Sequence, residues 1–327
     1  MVWKIVAAAF LGWSIFAGAA LAEPSPVGSR ASETTPANAD EAFVTWAQPV
    51  MSALERANGA SAPLLQSTSN LTGIEEPAAA LAALRQLSQQ ARQARSVLSQ
   101  VGAELESRPP FSHPSATPDM VEMGQILLRD TRSSVASLDQ FMSDMIAFAA
   151  AAERGDMAAV ERLNTRISRG AFVLVGAQAT SLRARQRLIP VTSSAHHAVG
   201  GMAVMYDGML ALMADDQEFN VGALDAAASA LDATLIAQGA ALALERVSVR
   251  GSDPNYALLS QLMETRARFV RANERARDTL RAAAREGHAG ASTEANRMEH
   301  IRVLAELEYE YQAISVRQME LYAQLTR

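Results

Sequence analysis

Residues 138–167 read "LDQFMSDMIAFAAAAERGDMAAVERLNTRI". Before Gly155, apolar side chains recur at Leu138, Met142, Met145 and Ala149; after Asp156 they recur at Val160, Leu163 and Ile167. Steps of three and four keep such residues on one stripe of an α-helix, where strand spacing would alternate them. Gly155 supplies a helix stop and Asp156 a cap for the helix that follows. Two long helices joined by so short a turn lie antiparallel, each burying its stripe against the other.

The same grammar extends in both directions. Upstream, Thr117-Pro118 pairs an N-cap with proline at the first helical position, and the helix runs through Met123, Leu127 and Val135 to about Glu153. Downstream, Leu174, Leu182 and Leu188 carry the stripe on to Pro190. A preceding helix spans about Glu75 to Ser107 with Leu84, Leu98, Val101 and Leu105 at coiled-coil-like spacing. The first helix begins near Asp40, carries Phe43, Trp46, Val50 and Leu54, and is expected to end in a loop holding Gly59, Pro63 and Gly73. Four more helical segments follow: from about Ser193 to Asp215-Asp216, Gly222 to Val249, Pro254 to Glu286, and Ser292 to the end, with Asp253-Pro254 and Ser292 as caps. The apolar fraction is 49 %, but aromatics supply only 5 % and alanine, leucine and methionine dominate, which favours helix over strand. The expected fold is therefore all-α, an elongated bundle of about eight mostly antiparallel helices, each of about 30 residues and hence about 45 Å long.

Residues 1–22 have the form of a cleaved signal peptide: Lys4, an apolar run, then Ala20-Leu21-Ala22. Residues 23–39, rich in Pro, Ser, Thr and Ala, read as a flexible leader, and 40–327 as the bundle, with a subdivision conceivable near 108–118 or at 190. The absence of cysteine excludes a disulfide framework, thiolate metal sites and a cysteine nucleophile. A periplasmic address is expected, with no transmembrane segment after cleavage. All 29 basic residues except Lys4 are arginines, and 35 acids oppose them, which disfavours a nucleic-acid partner.

The most chemical-looking stretch is residues 193–213, "SSAHHAVGGMAVMYDGMLALM". His196 and His197 are neighbours in sequence and point about 100° apart on a helix, so they cannot converge on one ion, and one helix offers neither a second ligand three or four residues on. Met202, Met205, Met209 and Met213 do form one line. Thioethers suit Cu(I), and a methionine with a histidine of another helix could hold haem, but a methionine stripe is the ordinary filler of a helical core. Glu-x-x-His and HExxH motifs are missing, and the Asp216/Glu218/Asn220 run places Val221 and Ala227 where a calcium loop needs glycine and glutamate. No GxSxG, phosphate-binding loop or dinucleotide fingerprint occurs. Glu306, Glu308 and Glu310 read as a solvated charge run on the outer faces of the last helix.

Charge is unevenly spread: no basic residue lies between Pro190 and Leu244, whereas the seventh helix carries seven arginines between Arg266 and Arg285. Arg268, Arg271 and Arg275 flank its apolar line and could form a face for an anionic partner. Pairing within the bundle, to the acidic stretch and through local pairs such as Glu264 with Arg268 and Glu274 with Arg277, explains them more simply. These features lead to the expectation of an exported, non-enzymatic periplasmic helical binding or interaction protein with no cofactor and an envelope protein or ligand as partner. A copper- or haem-binding bundle using the methionine line is the alternative.

Overall fold

The computed structural model describes residues 36–69, 76–214 and 219–325. Among the described residues there are eight α-helices and no strand: α1 Pro36–Ser69, α2 Pro77–Glu106, α3 Pro118–Glu153, α4 Met157–Gln186, α5 Ser194–Met213, α6 Val221–Ser248, α7 Tyr256–His288 and α8 Glu294–Leu325. The expected signal peptide lies outside the described residues.

Ion pairs and hydrogen bonds between neighbours fix the directions. Arg85 near the start of α2 meets Glu153 at the end of α3, while Arg132 early in α3 reaches the Leu105 carbonyl at the end of α2. Between α3 and α4, Arg166 pairs with Asp144 and Arg185 with Asp130; between α6 and α7, His288 meets Asp225 and Arg266 meets Glu245; between α7 and α8, Arg275 pairs with Glu310 and Arg266 with Tyr322. In each case one partner's number rises as the other's falls, so these pairs of helices are antiparallel. Helices α1 to α3 pack mutually, α5 packs on α4, α6, α7 and α8, and α1 closes against α8.

One continuous apolar cluster runs from Phe43 to Met319, across both positions at which the sequence suggested a boundary. Leu84, Leu98 and Leu105 of the α2 stripe are at most 2 % exposed, each burial contributing roughly 2 kcal/mol. The turns follow local chemistry. Thr117 Oγ1 accepts from Met120 N at 3.3 Å, Asp156 Oδ1 from Ala159 N at 3.0 Å, and Gly155 has φ 68°. The 107–117 connection folds back on α1: Phe111 stands edge-on to Phe43 at 5.0 Å, and the Trp46 indole donates to the Pro109 carbonyl at 3.1 Å.

Three boundaries depart from the sequence reading. α7 begins at Tyr256 with Asn255 at its N-cap, past the expected Asp253-Pro254. α1 starts at Pro36, inside the expected leader, and continues through Gly59 and Pro63 to Ser69. Both residues are exposed while Ala57, Ser61 and Leu64 are buried, so the donor that proline lacks falls on the solvent side and the packed stripe is unbroken. At the start of α8 the capping oxygen belongs to Thr293, which accepts from Asn296 N at 3.2 Å, one residue after the expected Ser292.

Candidate functional site

Helix α5 is the centre of the C-terminal half, and thirteen of its twenty residues are buried. A helix apolar on all sides has to be enclosed by others, and four surround this one. Met202, Met205 and Met209 are fully buried in the main core; Met213, at the helix end, is half-buried. His196 lies in the first turn with Nδ1 2.9 Å from the Ile189 carbonyl, and the His197 ring stands edge-on to it at 5.2 Å. Burial, and then the neighbouring His196, lower the pKa of His197. No cluster of three or more His, Cys, Asp or Glu with metal-holding geometry occurs among the described residues.

Glycines on α5 set the spacing. A Cβ on Gly201 would strike the Asn273 side chain, and one on Gly208 would lie 2.5 Å from Leu280 Cδ2. The two contacts advance together along α5 and α7, so these helices are parallel and close. Into that close contact the chain places polar groups. Asn273 is fully buried, donates from Nδ2 to Gln238 Oε1 on α6 at 2.9 Å, and accepts from the Tyr311 hydroxyl of α8 at 2.6 Å. One turn away, the buried Tyr206 hydroxyl donates to Oε2 of Glu308 on α8. Glu308 is 0 % exposed, and its Oε1 has no hydrogen-bond partner. Burial pushes its pKa up to about 7, against smaller lowering effects from Tyr206 and Gln312. The same desolvation raises both tyrosines well above their usual range. Glu308 can therefore take up or release a proton near neutral pH inside a closed core.

This overturns the reading of Glu306, Glu308 and Glu310 as one solvated run. Residues two apart on a helix project about 200° apart, so Glu306 and Glu310 share the outer side, where they meet Arg302 and Arg275, and Glu308 faces inward. Burial of three arginines, Arg185, Arg266 and Arg297, was also not anticipated. Arg266, 4 % exposed, holds Glu245 at 2.7 Å and the Tyr322 hydroxyl at 2.6 Å, and Glu245 accepts from Ser194 N at 2.7 Å, tying α5, α6, α7 and α8 at one end of the bundle. Arg185, 5 % exposed, pairs with Asp130 at 3.0 Å. Nothing in a single sequence separates these residues from exposed ones; the only hint is that each is preceded or followed by apolar stripe positions.

The arginine face of α7 is divided. Arg271 pairs at 3.0 Å with Glu264 of its own helix and Arg275 at 2.6 Å with Glu310 of α8; Arg268 is partly buried. The expected Glu264–Arg268 pair is replaced by Glu264–Arg271, and Arg268 is half-buried. Arg277 pairs with Asp278 and Asp232 in place of Glu274, and Arg281 joins it on Asp232, so the acidic stretch is indeed met by α7, through residues other than the three singled out. An open groove of about 580 Å³ separates α1 from α8 beside Asn58, Tyr309 and Arg317; another of about 460 Å³ lies between α2 and α3, where Arg95 pairs with Asp139 and Arg132 donates to the last carbonyls of α2.

The outer side of α6 is different in kind. Val247, Ile236 and Leu244 are 83 %, 76 % and 73 % exposed, the three most exposed large apolar side chains among the described residues. α6 is also the one described helix long and apolar enough to cross a membrane by length and composition, with 39 % of the qualifying window buried. No family model matches the chain, and neither does any curated protein or any solved structure.

Proposed function

We propose that this chain is an exported periplasmic interaction protein without catalytic activity, and that it works through the outer face of α6. The observation that carries the reading is that the three most exposed aliphatic side chains, Ile236, Leu244 and Val247, all lie on the outer side of that one helix. Monomeric proteins scatter exposed apolar residues singly, whereas contiguous apolar surface marks a site that a partner covers. The groups whose protonation burial perturbs most, Tyr206, Tyr311 and Glu308, are sealed in the core, where they can shape stability but cannot touch a substrate. The arginines of α7 are held by carboxylates of the bundle, which supports a structural role for that face over an anionic partner. Support for export comes from Lys4, the apolar run behind it and Ala20-Leu21-Ala22.

The test is a photo-crosslinking residue placed at Ala240 on the α6 face and, as control, at the exposed Arg162 on α4, in cells fractionated into periplasm and cytoplasm. A periplasmic protein adduct, to its own copy or another protein, from position 240 and none from 162 supports the reading. Cytoplasmic retention, or no adduct from either position, overturns it.

A further inference from the structure

The face just described has a finer pattern than exposure alone. Starting from residue 222 and stepping alternately by four and three, positions 222, 226, 229, 233, 236, 240, 243 and 247 are all exposed and all uncharged. A spacing that averages 3.5 residues keeps one seam in line along a helix that supercoils gently with a second. The seam faces away from α5 and α7, which pack on the other side of α6.

Resting on the reading that α6 is an interaction face, we infer that its occupant is α6 of a second copy, running antiparallel about a two-fold axis near residues 234–235. Only one register puts every seam position into a layer. In it, Gly222 lies against Val247 of the second copy and Ala233 against Ile236, so each large side chain meets a small one. The remaining layers, Ala226 with Ala243 and Ser229 with Ala240, are small on both sides and let the backbones approach closely. A parallel pair would set Gly222 on Gly222 and Ile236 on Ile236, leaving a void at one layer and crowding at another.

The charges choose the same register. Asp225 and Arg246 each stand one residue before a seam position, and so lie on one flank of the helix. When the seams pair antiparallel in the register above, Asp225 of each copy, half exposed beside its His288 partner on α7, comes opposite Arg246 of the other, which shares its carboxylate in two symmetric ion pairs. On the opposite flank, Leu244 meets Ala223 of the second copy and is covered. In the parallel arrangement Asp225 would face alanine. Opposite-charge flanks and large-against-small layers are independent features, and a self-complementary patch is what a two-fold dimer requires. A bilayer is a weaker fit, because Asp225 and Asp232 are ion-paired to α7 along one side of the helix and only the seam side is apolar. A seam of 26 residues is about 39 Å long, and with a helix width of about 10 Å it covers on the order of 800 Å² over both copies, too small for a permanent dimer and in the size range of weak, reversible association.

The absence of cysteine makes the register directly testable in the full-length mature chain. Sedimentation equilibrium should show a concentration-dependent dimer. Ile236→Arg should be monomeric throughout with an unchanged helical spectrum, since Ile236 is 76 % exposed and its replacement touches no core. Asp225→Arg and Arg246→Asp should each weaken the dimer about tenfold, and the double variant should restore it. In mild oxidation, Ser229→Cys mixed with Ala240→Cys should give the mixed disulfide dimer faster than either gives its own. The inference fails if the native chain stays monomeric up to millimolar concentration, if Ser229→Cys links to itself preferentially, or if the double charge variant does not recover. Binding to anionic lipid vesicles by a monomer, lost in Ile236→Arg, would assign the face to a membrane. A monomer that still crosslinks from position 240 to a different protein would overturn the self-pairing and leave α6 as an interaction face.

Discussion

Glu308→Gln should flatten the pH dependence of stability between about pH 4.5 and 7. Glu308 is 0 % exposed, faces the Tyr206 hydroxyl of α5 and Gln312 of its own helix, and burial lifts its pKa from 4.5 to about 7. In that interval the folded protein keeps a proton that the unfolded chain has released, so folding binds a proton and stability falls as pH rises. The contribution is fully present below pH 4.5 and is lost as pH passes through 7. At about 1.36 kcal/mol per pH unit across the interval, the loss is about 3 kcal/mol. Glutamine stays neutral, preserves the length of the side chain and keeps an acceptor for Tyr206. Whatever its amide costs in a closed core, that cost is nearly the same at every pH and cancels from the slope. Urea unfolding at pH 5, 6, 7 and 8 should therefore show the parent losing about 2.5 kcal/mol more than the variant over the range, since part of the effect lies below pH 5. Other carboxylates with displaced pKa values, Asp207 raised by burial and Glu299 lowered by Arg302, titrate in both proteins and drop out of the comparison. Parallel stability curves for parent and Glu308→Gln would refute the reasoning: Glu308 would then be as well solvated or as well paired when folded as when unfolded.

Met205→Leu and Met209→Leu, both at fully buried sites, should cost under about 1.5 kcal/mol each by thermal or chemical unfolding, because volume and apolarity are kept; stoichiometric tight Cu(I) binding that disappears in the double variant would make the methionine line a metal site instead. Gly201→Ala drives a Cβ into the enclosed Asn273, whose bonds to Gln238 and Tyr311 leave it nowhere to go, and should destabilise by about 3 kcal/mol, whereas Gly200→Ala meets only the flexible amide end of the half-buried Gln186 and should be close to neutral by the same unfolding measurement. Replacing Arg268, Arg271 and Arg275 together by glutamine should lower stability by no more than about 1 kcal/mol per exposed pair, with the difference shrinking in added salt; an unchanged melting curve with lost salt-sensitive binding to an anionic envelope component would return this face to partner recognition.

The sequence by itself determined the helices and most of their ends, because the signals involved are local. Gly155-Asp156 and Thr117-Pro118 act through the backbone of the next few residues, and the three-four stripes of α2, α3 and α4 require only that some apolar partner exist. α1 shows the limit of local reasoning: Gly59 and Pro63 are breakers in isolation, but buried Ala57, Ser61 and Leu64 hold the helix through them. What only the tertiary structure decided is which polar residues lie inside and which apolar residues lie outside. Glu306, Glu308 and Glu310 look alike along the chain, and the fate of Glu308 depends on where α5 sets Tyr206. The exposed seam of α6 has the same three-four spacing as the buried stripes, so spacing alone does not tell a covered face from an uncovered one. Periodicity marks the faces a helix can offer; the path of the rest of the chain decides which of them is covered within the molecule, and the outer side of α6 is left exposed.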